Sequence, residues 1–98
     1  MDRVEAWLRE RRPPAPEPVI GAVRSALASV GSGRIADVAH EAARARLVEA
    51  LARPGRDREG AFALLAADAL VTYACEAALD APDASEALAS ILTIGKQA

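Results

Sequence analysis

Ninety-eight residues are one domain's worth of chain, and 52% hydrophobic with 27% charged residues excludes a disordered, low-hydrophobicity polymer. Half of the hydrophobic share is alanine: 25 alanines stand against 25 larger apolar or aromatic residues and Cys75, so the available core is thin. A formal net charge of −2 argues against a dedicated polyanion binder, whose affinity would rest on clustered Lys and Arg.

Residues 1–12 read as an N-terminal helix or arm. Asp2 with Glu5 three positions later is a capping-box signal, Val4, Trp7 and Leu8 share one stripe, and Glu5 can pair with Arg9. Pro13, Pro14, Pro16 and Pro18 then fall within six residues, which makes 13–17 a stiff connector. The pattern leaves open whether the arm folds back or projects. Residues 18–98 read as the helical core. A second helix runs from about Pro18 to Ser29, with Ile20, Val23, Leu27 and Val30 facing inward, and Gly31, Ser32 and Gly33 break it.

The third helix spans about 34–53 and is closed by Pro54 and Gly55. Its early apolar face is Ile35, Val38, Ala39 and Ala42, whereas Leu47 and Leu51 lie on the side that carries His40 and Arg44. Such a helix either touches different partners along its length or bends near 43–46. A fourth helix, about 57–80 with an Asp57 cap, carries Phe62, Leu64, Leu65, Leu70, Val71, Tyr73 and Cys75 around most of its circumference. A helix apolar all round is expected to be buried and central. Its polar stripe is Asp68, Thr72 and Glu76, stacked at intervals of four. Residues 81–83 form a turn, and Asp83 with Glu86 opens a last helix that points Leu88, Ile91 and Leu92 inward and ends at Gly95. No strand pattern competes. The expected fold is all-α: a single domain of four to five helices around a central apolar helix.

Few motifs point to chemistry. Gly31-Ser32-Gly33-Arg34-Ile35-Ala36 fits the loose dinucleotide pattern G-x-G-x-x-A, but no strand precedes it; what remains is an anion held at a helix start by Gly33 and Arg34. From Ile35 to Ala42, IADVAHEA resembles the first helix of the helix-turn-helix of LacI-type repressors, which implies DNA binding. Ala43, Arg44 and Ala45 stand where that family has its turn glycine, an apolar residue and serine, so no separate recognition helix follows and a DNA-binding regulator ranks last among the readings. Leu64 to Ala78 is similar to a core helix of trans-isoprenyl diphosphate synthases, but the aspartate-rich motifs of that family, DDxxD, have no counterpart here, so the likeness implies no activity.

No cofactor or metal is implied. His40 is the only histidine, and no Glu-x-x-His pattern accompanies it. Cys75 sits in the most apolar helix, where burial suppresses the thiolate. One cysteine makes no internal disulfide, and the opening residues lack the continuous apolar run of a secretory signal, so the expected compartment is the cytoplasm. Residues 61–79 are about long enough to cross a bilayer, but Asp68 and Glu76 would each cost roughly 2.5–3.5 kcal/mol there, so no membrane is expected.

Residues 1–56 carry +3 and residues 57–98 carry −5, two faces that attract within one fold or between copies. Full burial of a large apolar side chain is worth about 1.5–3 kcal/mol and ordering a residue costs roughly 1.5 kcal/mol, so about 25 such side chains leave the lone chain near zero. The expected function is therefore non-catalytic: self-association, a homodimer first, or service as an adaptor for another protein. The alternative is a ligand-binding or enzymatic bundle with a pocket between helices 3 and 4, where His40, Asp68, Thr72, Tyr73 and Glu76 are the candidate ligand or interface residues. The stripe itself has two readings: the solvent-exposed edge of the fourth helix, or the lining of a groove or intersubunit seam that meets Arg side chains of the basic half such as Arg24, Arg44 or Arg46.

Overall fold

The computed structural model describes residues 3–53, 55 and 57–97, and the described residues form an all-α bundle without strands. In chain order it consists of α1 (Arg3–Arg9), α2 (Glu17–Val30), α3 (Ile35–Ala52), α4 (Arg58–Ala78), α5 (Ala84–Leu92) and α6 (Ile94–Gln97). The ends follow local chemistry. α2 opens with proline in its first turn, where the missing N–H has no intrahelical partner in any case. Asp57 accepts a hydrogen bond from the Glu59 amide at 3.1 Å, and Asp83 accepts one from the Glu86 amide at 3.0 Å, so both acidic caps form as their spacing requires. The capping signal at Asp2 and the closing Pro54 lie outside the described residues.

Among the described residues six helices stand where four to five were expected. The difference lies at the C-terminal end: α5 stops at Leu92, three residues before the expected glycine, because the Thr93 hydroxyl donates to the Ser90 carbonyl at 2.8 Å and tightens the last turn. Gly95 then falls inside the short α6 and does not cap α5. Gly31 and Gly33 do have a backbone role. Their φ values of 99° and 148° are disfavoured for L side chains, and a Cβ on Gly33 would press on Val38 at 3.3 Å.

α3 and α4 pair along much of their lengths as a helical hairpin, and α2 packs on both. The buried residues of α4 are Ala63, Ala66, Ala67, Leu70, Tyr73, Ala74, Ala77 and Ala78, a seam repeating every seven residues that is three-quarters alanine. From α3 the seam receives Val38, Ala39, Ala42 and Ala43. Because helix separation follows side-chain size at the contact, alanine draws the two helices together and leaves the bulky residues of α4 outside. This corrects the expectation that α4 is buried all round: Phe62, Leu64 and Leu65 are 36%, 53% and 50% exposed. On the later apolar face of α3, Leu51 is 68% exposed while Leu47 is half-buried, and Val48 beside them is 40% exposed.

The main hydrophobic cluster lies at the other end of the hairpin. It takes Val38, Ala39, Ala42 and Ala43 of α3 and Leu70, Tyr73, Ala74 and Ala78 of α4, joined by Leu8, Val23, Ala26, Leu27 and Ile91. Leu70 and Val23 are its largest fully enclosed side chains. Arg46 interrupts the seam seven residues after Ala39; its Nη1 reaches Glu49 at 2.8 Å, but its buried Nε has no acceptor. Leu70→Ala is expected to cost about 2–5 kcal/mol. Arg46→Met, which removes the unsatisfied donor and keeps the aliphatic stem, is expected to gain about 1 kcal/mol. Chemical denaturation followed by circular dichroism measures both.

Candidate functional site

α1 has only seven residues, too few to hold a helix by propensity, so its docking depends on tertiary contacts. Leu8 is buried in the main cluster. The Trp7 ring meets Tyr73 edge to face, with centroids 5.8 Å apart and planes at 86°. The Arg11 guanidinium lies 3.9 Å from the centre of the Trp7 ring and donates to Glu76 Oε2 at 2.8 Å. Its Nε also donates to the Trp7 carbonyl at 3.2 Å, which closes the turn after the helix. One arginine thus joins α1, the indole face and α4. The other flank is held by Arg24, whose Nε donates to both carboxylate oxygens of Glu5 at 3.0 and 3.2 Å, and by Arg3, which donates to the Gly33 carbonyl at 2.8 Å. The arm folds back.

This clasp redistributes the polar stripe of α4. Glu76 is half-buried against Arg11, while Asp68 and Thr72 are exposed and the Thr72 hydroxyl donates to the Asp68 carbonyl at 3.1 Å. Arg24, Arg44 and Arg46 do not reach the stripe through any of the ion pairs they form, which are to Glu5, Glu41 and Glu49. The pairs of Arg44 and Arg46 are three residues apart on α3 and form within the helix before any long-range partner is needed. The Arg44 hydrogen bond holds the Glu41 carboxyl below its usual range, and Glu41 in turn raises the Arg44 guanidinium. Arg53 is raised mainly by its hydrogen bond to Asp57.

Two clefts border the clasp. The larger, about 1080 Å³, lies between α1, the C-terminal half of α2 and the glycine turn; Arg3, Val4, Glu5, Leu8, Arg24, Leu27 and Ala28 line it together with residues 31–34. It includes Gly33 and Arg34, the residues singled out for an anion. A smaller hollow of about 430 Å³ lies beyond Arg3 and Arg34, with Trp7, Ile35, Asp80 and Pro82 among its walls. None of His40, Asp68, Thr72, Tyr73 and Glu76 lines either cleft. Tyr73 is a core residue, His40 is half-buried on α3, and the Tyr73–Trp7–Arg11–Glu76 chain serves to hold the arm.

Both clefts are lined mostly by apolar and arginine side chains. Ser32 is their only hydroxyl, and no imidazole or thiol stands beside it. Among the described residues no group of three or more His, Cys, Asp or Glu is placed to hold a metal ion. By length and composition α4 could cross a membrane, yet 44% of its most apolar window is buried in the bundle and Glu76 is committed to Arg11. Comparison with protein-family models, with curated proteins and with solved structures finds no match.

The clasp was not foreseen from the sequence. Trp7 and Arg11 stand four apart, a visible pairing, but Glu76 is 65 residues away and nothing local marks it. Glu76→Arg is expected to free the arm, shifting Trp7 emission to the red and raising its quenching by acrylamide while the remaining helices persist. Adding Arg11→Glu is expected to restore the docked emission.

Proposed function

We propose that this chain is a non-catalytic helical protein that works by pairing with a second copy of itself through the free end of the α3–α4 hairpin. The carrying observation is the group Val48, Leu51, Phe62, Leu64 and Leu65, five large apolar side chains left exposed within eighteen residues of sequence around the hairpin loop. Single exposed apolar residues are ordinary, as Leu79 and Leu92 are at the other end of the molecule; a concentration of them at one end of a hairpin marks an interaction surface.

Charge favours a copy over a strongly charged partner. Residues 41–65 contain five arginines and four acids, and most of these pair within the hairpin: Arg44 with Glu41, Arg46 with Glu49, and Arg53 with Asp57 and Glu59. A nearly neutral apolar end meets its own image with little repulsion and offers nothing to steer a highly charged protein. The opposite charges of the two chain halves are partly consumed internally, since Arg11 binds Glu76 across that division, so head-to-tail attraction is the weaker route. The reading is consistent with a cytoplasmic setting, where the lone, half-buried Cys75 would stay reduced.

Light scattering across micromolar concentrations is expected to show a mass rising from 10.2 kDa toward double. Leu65→Glu, which loses on the order of 1.5–3 kcal/mol of burial in the pair, is expected to weaken association at least about tenfold with helical content unchanged. A wild-type chain that stays monomeric throughout this range overturns the proposal.

A further inference from the structure

The larger cleft combines an apolar floor with a cationic rim, and its charges do not cancel. Val4, Leu8 and Leu27 supply the floor, with Leu8 and Leu27 anchored in the main cluster. Arg3, Arg24 and Arg34 stand around it, against one acid, Glu5, which Arg24 clasps. Arg3 spends a donor on the neutral Gly33 carbonyl and forms no ion pair with a described acid, and Arg34 forms no ion pair or hydrogen bond with a described residue. Asp80 lines the neighbouring hollow with these two arginines, but no ion pair joins it to either of them. Two guanidinium groups with no acidic partner among the described residues thus flank one apolar hollow on a chain whose net charge is −2.

We infer that this cleft binds a small aliphatic carboxylate, its head between Arg3 and Arg34 and its hydrocarbon body on Val4, Leu8 and Leu27. The volume, about 1080 Å³, lies just above the roughly 300–1,000 Å³ usual for small-molecule sites, so the ligand occupies part of an open cleft. Guanidinium matches the planar carboxylate through paired N–H donors, and an arginine with no acidic partner among the described residues, set beside a low-dielectric wall, gives that match its strength. No aromatic ring lines the cleft, so it offers no stacking surface for a nucleobase, and the net charge of its rim suits one anionic head better than a polyphosphate. Because Val4 and Leu8 belong to α1, a ligand seated here also rests against the arm, which ties its binding to the docked state of Trp7.

The test is a titration of the isotope-labelled full chain with octanoate, acetate and octanol, followed by the amide resonances of Gly31, Ser32 and Gly33. Octanoate is expected to shift these resonances saturably, with acetate and octanol each at least about tenfold weaker. Arg34→Glu alters an exposed residue whose side chain makes no capping bond, and Ala28→Trp fills the cleft from an exposed helical position; each is expected to weaken octanoate at least about tenfold while the remaining resonances keep their places. Equal binding of octanol and octanoate, unchanged affinity in Arg34→Glu, or shifts confined to residues 48–65 would overturn the inference. The cleft and the hairpin end share no residue, so octanoate binding by a monomer supports this site even where self-association fails.

Discussion

The separation between α3 and α4 is set by alanine. Ala39, Ala42 and Ala43 on one helix and Ala63, Ala66, Ala67, Ala74, Ala77 and Ala78 on the other bring two long helices close together, and close approach gains dispersion contacts without burying much apolar area. A seam of this kind aligns the hairpin but contributes little of the roughly 25 cal/mol per Å² that larger side chains would supply. Leu70 and Tyr73 are the only large side chains of α4 that turn fully inward, and both lie in its C-terminal half. The other helices contribute Leu8, Val23, Leu27 and Ile91 at that half, and the opposite end of the hairpin is left with its bulky residues outside.

The short α1 completes the thin end of this arrangement. Leu8 alone would not hold seven residues, so the arm is fastened at three places by arginine: Arg11 to the indole and Glu76, Arg24 to Glu5, and Arg3 to a carbonyl of the glycine turn. Partly exposed ion pairs contribute modestly one by one. Their geometric effect is larger, because they hold an apolar strip of α1 above Leu27 and leave beneath it a cleft with two arginines that have no acidic partner among the described residues. The same fastening produces the arm and the hollow.

Much of this was legible in the residues. The all-α class, the order of the five longer helices, the acidic caps at Asp57 and Asp83 and the break at Gly31–Gly33 all follow from short-range rules, and the structure places helix ends within a few residues of those readings. The exposure of Phe62, Leu64 and Leu65 runs against the rule that a helix with apolar groups on every side is buried. The finer signal was present: small residues recur at 63, 66, 67, 74, 77 and 78, so the narrow face is the packed one and the bulky face is left over. The Arg11–Glu76 pair has no local signature, and of the proposed site residues only Gly33 and Arg34 line a cleft. Long-range pairing of surface charges depends on which helices become neighbours, and no single-chain spacing rule supplies that.

The central claim is that the bulky residues displaced by the alanine seam are covered by the same residues of another copy. Isotope-filtered nuclear Overhauser measurements on an equal mixture of labelled and unlabelled chains test it directly. Contacts between copies are expected from the Leu51 and Leu65 methyl groups to the Phe62 ring, across a symmetric interface. Filtered spectra with no cross-peaks at these side chains, or with all of them at the α1 or α5 end, would contradict the account.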